Sequence, residues 1–362
     1  AGARTTMRIA QVAPLYESVP PKYYGGTERV VSYLTEELVR QGHDVTLFAS
    51  GDSETRARLV APCRRSLRQD KHCVDQMAHH ILMLEKVFQS ADRFDIVHFH
   101  IDYLHFPLSR RHQFTHVTTL HGRLDIPDLV PLYREFPDMP VVSISNSQRE
   151  PLPWLNWQAT IYHGLPDDLY RFRAEPGDYL AFLGRISPEK RVDRAIEIAK
   201  RVDIPLKIAA KVDRVDKDYF EGVVEPLLRD PLVEFVGEIG DGEKDEFLGN
   251  AYALLFPIDW PEPFGLVMIE AMACGTPVIA YRHGSVPEVM EEGRTGFIVK
   301  GLEDAVEAVR RVPELSRERC REVFEERFTA GRMTRDYLKL YERMVGRQGH
   351  GVPEVEARCP TK

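Results

Sequence analysis

The chain of 362 residues has few cysteines, no long hydrophobic run and no excess of positive charge. Its five cysteines are odd in number and follow no paired spacing, which argues against a disulfide framework and favours a reducing, cytoplasmic setting. Without a run of about 18 apolar residues, we expect no membrane-spanning helix. The opening segment AGARTTMRIAQVAP lacks the charged and apolar regions of a signal peptide. The formal net charge of −8 gives no support to a nucleic-acid partner.

The composition is that of a globular protein, with 43% hydrophobic and 29% charged residues. The length favours two domains of about 100–200 residues each. Short β-branched runs alternate with segments of helical periodicity, such as TERVVSYLTEELVRQG and RVDRAIEIAKRV. The runs predicted as strands are MRIAQVAP, DVTLFAS, DIVHFH, HVTTLHG, PVVSISN and ATIYHG in the first half, and YLAFLGRI, LKIAAKV, VEFVGEI, YALLFP, PVIAYR and GFIV in the second.

Continuous apolar strands that alternate with helices predict parallel sheets covered on both faces. We therefore expect an α/β protein with two doubly wound, Rossmann-like domains of about six strands each, facing each other across a cleft. The polar segment 162–178, punctuated by proline and glycine, is predicted to contain the change from one domain to the other. Ligands of such folds bind at the carboxyl ends of the strands, so we expect the site in the cleft.

The segment GRISPEKR follows a predicted strand and precedes a predicted helix. Gly184 lets the main chain approach a ligand closely. Arg185 and Lys190 place two cations beside a helix N-terminus, which itself favours anions. The loop therefore predicts a diphosphate site, with a solvated loop of ordinary surface charges as the alternative for this motif taken alone.

The segment PEPFGLVMIEAMACGTPVIA, residues 261–280, holds two glutamates, Glu262 and Glu270, eight positions apart. Burying Glu270 in this apolar segment is costly unless another group pairs with it. We predict a helix from residue 264 or 265 to Ala273, with Gly275 ending it. Glu270 can then accept hydrogen bonds from a ribose diol; a partly exposed helix residue without a ligand is the alternative. The free N–H groups of the first turn suit a sugar or phosphate oxygen, and they belong to Phe264, Gly265 and Leu266.

Other patterns are predicted not to form a metal, dinucleotide or membrane site. We expect His98 and His100, in DIVHFH, to project to opposite faces of their strand and therefore not to hold one metal ion. Asp216 and Asp218 form a D-x-D pattern that we expect to be solvated. The glycines of VGEIGDGEK do not form the pattern of a dinucleotide site. The amphipathic segment QMAHHILMLEKVF follows a basic stretch, a combination found at lipid surfaces, but a core-facing helix is favoured over membrane contact.

The chain resembles the retaining glycosyltransferases of family 4, which have the two-domain GT-B fold. The resemblance rests on the GR…EK loop, the glutamate pair with FGLVMIEAMACGTPVIA, the later GSVPE and TGF, and the segment from MRIAQVAP to VTLFASGDS. It is strongest toward a branch that includes antibiotic and pterin glycosyltransferases. It implies an acceptor-binding domain at residues 1–166, a nucleotide-sugar domain at 167–328, a helix at 329–346 that packs back on the first domain, and a tail at 347–362.

The resemblance also implies roles for the donor-binding residues. Arg185 and Lys190 would neutralise the donor diphosphate as it leaves. Glu270 would bind the ribose hydroxyls, and Glu262 would hold hydroxyls of the donor sugar. Further donor contacts would come from Gly25, Gly26, Gly184, Lys211, Ile239, Phe264, Gly265 and Leu266.

The first domain would contribute His121, which matches a family histidine that reaches the donor sugar or phosphate. His100 and Asp102 would lie on the acceptor side. One departure from the family pattern is Arg191, which follows the loop lysine where many relatives have glycine. This side chain would either crowd the loop or add a third cation.

The function implied is transfer of a hexose, with UDP-glucose as the first choice of donor, to a hydroxyl acceptor that the sequence does not identify. The anomeric configuration would be kept, and neither a metal ion nor a cofactor would be needed. The alternatives are a mannosyltransferase that uses GDP-mannose, a sugar-nucleotide epimerase or phosphorylase, and a non-catalytic nucleotide-sugar binder. An epimerase would act without an acceptor, a phosphorylase would need inorganic phosphate, and a binder would never release the nucleotide.

Overall fold

The computed structural model of the protein describes residues 6–348, so that most of the predicted tail at 347–362 lies outside the described residues. The first sheet has seven parallel strands in the order β3-β2-β1-β4-β5-β6-β7. Its strands are β1 Arg8–Val12, β2 Asp44–Phe48, β3 Arg58–Val60, β4 Ile96–Phe99, β5 His116–Thr119, β6 Val141–Ser143 and β7 Trp157–Thr160.

The second sheet has six parallel strands in the order β10-β9-β8-β11-β12-β13. Its strands are β8 Tyr179–Ile186, β9 Leu206–Val212, β10 Val233–Gly237, β11 Ala251–Phe256, β12 Val278–Tyr281 and β13 Gly296–Val299. Each sheet changes direction of strand order beside its first strand, the arrangement of a doubly wound domain. The predicted fold class, two Rossmann-like α/β domains, is therefore confirmed.

Helices connect the strands of both sheets. They are α1 Gly26–Arg40, α2 Gln76–Phe88, α3 Phe106–Ser109, α4 Leu129–Glu135, α5 Asn146–Arg149, α6 Val192–Val202, α7 Lys217–Tyr219, α8 Glu225–Leu227, α9 Asp241–Gly249, α10 Leu266–Cys274, α11 Val286–Val289, α12 Leu302–Arg310, α13 Arg317–Arg327 and α14 Ala330–Gln348. Within residues 6–348, no helix combines the length and the apolar character needed to cross a bilayer.

The strand β3 is the one element of the two sheets that the sequence did not predict. It has three residues, starts with an exposed arginine and is half-buried at the edge of the first sheet. Because an edge strand packs on few neighbours, it needs no continuous apolar run, and no such run marks it in the sequence.

The helix α10 begins one or two residues later than the predicted start at 264 or 265, and it ends one residue later than predicted. Gly265 precedes it with φ 81° and Gly275 follows it with φ 83°. Both angles lie in the left-handed region, where glycine is favoured. A side chain at Gly265 would also meet Met268 and Phe256. These two glycines therefore set the limits of the helix that carries Glu270.

The last helix returns to the first domain. Leu165 and Thr329 form an isolated β-bridge just before α14 begins. The buried hydroxyl groups of Tyr337 and Tyr341, on α14, then form hydrogen bonds with side chains of the first sheet. The helix thus joins the second half of the chain to the core of the N-terminal half.

The amphipathic helix α2 packs one face on the first domain and leaves another in solvent. Asp75 caps it by accepting hydrogen bonds from two N–H groups of the first turn. Met83 and Leu84 are buried, whereas Ile81 and Leu82 are about half exposed. The segment thus has the core-facing side that the sequence predicts and a second, exposed apolar side.

Candidate active site

A cleft of about 680 Å³ separates the two sheets. It lies at the carboxyl ends of the strands, since its walls include the residues that follow β1, β4, β5, β8 and β11. Every residue that the sequence predicts for the site lines this one cleft: Gly25, Gly26, His100, Asp102, His121, Gly184, Arg185, Lys190, Lys211, Ile239, Glu262, Phe264, Gly265, Leu266 and Glu270. The roles of these residues remain predictions.

Lys190 and Glu262 form the closest charged pair of the second domain's wall. The Lys190 Nζ atom lies 2.5 Å from Glu262 Oε2. The Trp260 indole N–H donates to the same oxygen at 3.1 Å, and Lys190 also lies over the Trp260 ring, 5.0 Å from its centroid. These contacts hold a cation and a carboxylate side by side, beyond the carboxyl end of β11.

Arg185, at the end of β8, has three acidic neighbours, of which Asp213 is the most distant at 3.9 Å. Its guanidinium donates to Glu189 at 2.7 Å and lies 3.4 Å from Asp216 Oδ2. The expectation that Asp216 is solvated is therefore wrong, because this side chain is buried against Arg185, whereas Asp218 is exposed as expected. The two aspartates of D-x-D separate because they lie at the start of a short helix rather than on one surface loop.

Arg191 takes the left-handed main-chain conformation, with φ 55° and ψ 50°. Its side chain points to Asp193 at 2.8 Å and to Asp259 at 3.2 Å. The charge is thus paired with carboxylates, in contrast to the third free cation that the sequence allowed for this loop. A positive φ is the conformation that favours glycine, which gives a physical reason for the glycine of the family pattern at this position.

Glu270 is buried and paired. Its Oε2 atom accepts a hydrogen bond from the Tyr170 hydroxyl at 2.7 Å and from Lys244 at 3.2 Å. Burial raises the pKa of Glu270, but Lys244 and Arg29 outweigh that effect and hold the pKa below its ordinary value. The carboxylate is therefore charged at neutral pH. The sequence did not identify Tyr170 and Lys244 as its partners, and no motif marks them.

Charged side chains connect the two domains beside the cleft. Arg29, on α1, pairs with Asp241 at the start of α9. Glu288, on α11, accepts hydrogen bonds from the main-chain N–H groups of Asn146 at 2.8 Å and Ser147 at 2.6 Å, in the first turn of α5. Glu288 and Arg29 both lie in segments on which the family resemblance rests, GSVPE and the stretch from MRIAQVAP to VTLFASGDS, but neither was assigned a role from the sequence.

His100 and His121 are directly hydrogen-bonded. His121 Nε2 lies 2.9 Å from His100 Nδ1, and desolvation lowers the pKa of His121 to about 3. The expectation that His98 and His100 project to opposite faces is wrong, because their ring centroids are 4.0 Å apart. Residues two apart along a strand share a face. His98 is fully buried and bonds to Thr119, away from the cleft.

The remaining predicted residues shape the walls of the cleft. Gly25 has φ 150°, and a side chain there would meet Pro21 at 2.9 Å. Lys211 pairs with Asp213 at 3.1 Å. Asp102 has φ 51°, and its carboxylate accepts a hydrogen bond from the main-chain N–H of His121. Strained positive φ values at non-glycine residues occur preferentially at functional sites.

Comparison with known proteins places the chain in a family. Residues 171–327 match the family of glycosyl transferases group 1, and residues 24–169 match glycosyltransferase family 4. Together the two matches cover most of the chain. The protein belongs to the GT-B glycosyltransferases of group 1 with a family 4 N-terminal domain, as the resemblance predicted.

Individual proteins match this chain either over a limited part of its length or at low sequence identity. A D-inositol 3-phosphate glycosyltransferase of Nocardia farcinica is 35% identical over 157 residues, which are 39% of this chain and 34% of that protein. The chain spans less than half the length of the curated relatives it matches. The crystal structure of AviGT4, a glycosyltransferase involved in avilamycin A biosynthesis, has a TM-score of 0.74 at 23% identity and covers 94% of this chain and 98% of its own. Anabaena HepE in complex with UDP-glucose has a TM-score of 0.71 at 15% identity, covering 95% and 99%. At these identities the two structures show the fold.

Proposed function

We propose that the protein is a retaining glycosyltransferase that moves glucose or a related hexose from UDP-glucose to a hydroxyl group of an acceptor. The observation that carries the proposal is that Arg185, Lys190, Glu262 and Glu270 line one cleft at the carboxyl ends of strands. Membership of the glycosyltransferase family supports sugar transfer. The UDP-glucose complex of the structural neighbour HepE supports the choice of donor.

Stabilisation of the leaving group is the main task of the proposed site. The bond between the anomeric carbon and the diphosphate breaks, and the diphosphate keeps the electron pair. Arg185 and Lys190 stabilise this developing charge, which is the kind of contribution that is usually largest in enzyme catalysis. The acceptor oxygen attacks the same face of the sugar, and its proton passes to the departing phosphate. The reaction then needs no side-chain nucleophile and no metal ion.

The other residues orient the donor. Glu270 is charged and held in place by Tyr170 and Lys244, so its carboxylate is suited to accept hydrogen bonds from ribose hydroxyls. Glu262 lies beside Lys190. In the proposed complex, its carboxylate accepts hydrogen bonds from hydroxyl groups of the donor sugar, next to the cation that faces the diphosphate. Holding the reacting groups in one geometry supplies part of the rate enhancement.

Protection against thermal unfolding by nucleotides tests the donor. A ligand that binds only the folded protein raises its Tm. We expect UDP and UDP-glucose to raise the Tm more than GDP, GDP-mannose or ADP at equal concentration. A larger shift with the guanosine compounds would instead support the mannosyltransferase alternative. No shift with any of these compounds would refute the proposal.

Release of nucleotide from UDP-glucose tests the reaction itself. We expect UDP to appear slowly without added acceptors, because water then receives the glucosyl group, and faster with a suitable hydroxyl acceptor, while EDTA leaves the rate unchanged. Lys190→Ala should lower release by about a hundredfold or more. Lys200→Ala, which removes a half-exposed lysine of α6 that pairs with Asp230, should leave release unchanged. Conversion of UDP-glucose into another nucleotide sugar without free UDP would identify an epimerase. Binding without any turnover would identify a non-catalytic binder.

A further inference from the structure

Trp260 contacts both members of the Lys190–Glu262 pair. Its indole N–H donates to Glu262 Oε2 at 3.1 Å, and Lys190 Nζ lies 5.0 Å from the centroid of its ring. An ammonium group is attracted to the face of an aromatic ring at such a distance. The edge of the indole thus holds the carboxylate while its face holds the cation, so that one side chain sets the position of both charges.

The hydrogen bonds of Glu262 distinguish its two carboxylate oxygens. Lys190 and Trp260 both donate to Oε2. Within residues 6–348, no group donates a hydrogen bond to Oε1, although Glu262 lines the cleft. A carboxylate accepts through both oxygens, so Oε1 keeps the capacity to accept hydrogen bonds from a ligand. Two donors on Oε2 also disfavour a rotation of the side chain that would exchange the two oxygens.

The main chain of Glu262 is held independently of the indole. Pro261 and Pro263 flank Glu262, and each proline restricts its own φ and the conformation of the residue before it. The Glu262 carbonyl oxygen accepts a hydrogen bond from the N–H of Ser285 at 2.9 Å. With the main chain fixed, the torsion angles of the glutamate side chain are the freedom that Trp260 restricts.

The first domain contacts the same ring. Arg123, in the segment that follows β5, has its guanidinium 5.5 Å from the centroid of the Trp260 ring. Asp125 keeps Arg123 in place with an ion pair at 2.6 Å. Cations from both domains therefore lie over the indole, and these contacts restrict its rotation.

We propose that Trp260 is a positioning residue for the donor sugar. Its N–H engages Oε2 of Glu262, so that Oε1 accepts hydrogen bonds from sugar hydroxyl groups, and its ring holds Lys190 beside them. Trp260 thus acts through these two side chains. This inference rests on the proposed function for the identity of the ligand, and no sequence motif assigns a role to Trp260.

Calorimetric titration with UDP and UDP-glucose separates the two contributions of the indole. Trp260→Phe keeps an aromatic ring for Lys190 but removes the N–H. We expect it to weaken UDP-glucose by about tenfold, because a hydrogen bond to a charged group is lost, and to change the affinity for UDP, which has no sugar, by less than about twofold. Trp260→Leu removes the ring as well, so we expect UDP also to bind about threefold more weakly.

Trp157→Phe is the matched control. It removes an indole N–H that donates to the Leu152 carbonyl at 3.0 Å and a ring that lies under Arg149 at 5.2 Å, both on β7 and α5 rather than in the wall of the cleft. We expect both affinities to stay unchanged. Three results would overturn the inference: an unchanged affinity of Trp260→Phe for UDP-glucose, equal losses for UDP and UDP-glucose in that variant, or the same losses in Trp157→Phe.

NMR of the indole ¹H–¹⁵N groups tests the hydrogen bond without a ligand. The chain has three tryptophans, and Trp260→Phe identifies the signal of Trp260. Glu262→Gln replaces a charged acceptor with a neutral one, which accepts a weaker hydrogen bond. We expect the ¹H signal of Trp260 to move to lower frequency in this variant while that of Trp157 stays.

An unmoved Trp260 signal would overturn the inference even where UDP-glucose binds. If neither UDP nor UDP-glucose binds the unaltered protein, the proposed function fails and this inference fails with it. Binding of UDP-glucose together with any of the contrary results leaves the proposed function in place and removes Trp260 from the site.

Discussion

Glu28 is a carboxylate that the folded protein holds at a free-energy cost. It lies on α1 in the wall of the cleft and is 5% exposed. Burial raises its pKa from the ordinary value of 4.5 to about 7, and nearby hydrogen bonds and Arg68 offset only part of this effect. Between these two pH values the folded protein binds more protons than the unfolded chain. Stability therefore falls as the pH rises through this window.

Replacing Glu28 with glutamine should stabilise the protein. The shift from 4.5 to about 7 corresponds to about 3 kcal/mol once the group is ionised. Glutamine has nearly the same shape and can still accept the hydrogen bond from the Glu17 N–H. We expect Glu28→Gln to raise the free energy of unfolding by about 2–3 kcal/mol at pH 8, and by less than about 1 kcal/mol at pH 5.

Urea denaturation of both proteins at the two pH values measures this difference. Asp245→Asn is the control, for which we expect the opposite change in the free energy of unfolding. Although burial raises the pKa of Asp245, Arg173 and the Arg171 N–H hold it below its ordinary value, so this substitution should destabilise the protein at pH 8. A Glu28→Gln protein that is less stable at pH 8, or equally changed at both pH values, would refute the reasoning. Loss of turnover together with gain of stability would show that Glu28 is retained for function.

Three further predictions concern the cleft. Lys190→Ala should lower the rate of nucleotide release under saturating donor by about a hundredfold or more with unchanged circular dichroism, because a cation facing the leaving group is lost; a near-normal kcat would contradict its role. Arg191→Gly should have a free energy of unfolding in urea about 1 kcal/mol higher than that of Arg191→Ala, because a φ of 55° is strained for alanine but not for glycine. Equal stability of the two variants would argue against that strain. Glu288→Gln should lower the free energy of unfolding by about 1 kcal/mol, because its amide nitrogen leaves the N–H of Asn146 or Ser147 without an acceptor; an unchanged urea midpoint would show that the contact contributes little.

The strands and the positions of the site residues could be predicted because both follow from local patterns. Arg185 lies at the end of an apolar strand and Glu262 comes shortly after another, and parallel strands bring their carboxyl ends to one edge of the sheet. The edge strand β3 could not be predicted, since it is short and lies where little apolar surface is buried. The faces of His98 and His100 could have been assigned correctly, because the period of a strand is two residues.

The partners of the site residues could not be predicted from local patterns. Lys244 reaches Glu270 from α9, and Tyr170 reaches it from the segment between the domains, 100 residues earlier in the chain. These contacts depend on how α9 and α10 pack on the second sheet, which no periodicity specifies. Arg191 shows the same limit in the main chain, because its positive φ becomes visible only when the turn before α6 is built.

The burial of Glu270 is an argument for ligand binding rather than for folding. The carboxylate is 3% exposed, and its charge is balanced by Lys244 and Arg29, which come from different domains. Replacing a buried ion pair with apolar side chains of similar volume is often neutral or stabilising, so stability alone gives little reason for charged groups here. The rest of α10 is apolar and would accept such a side chain. A hydrogen-bond acceptor fixed in the wall of the cleft suits the ribose diol of the proposed donor.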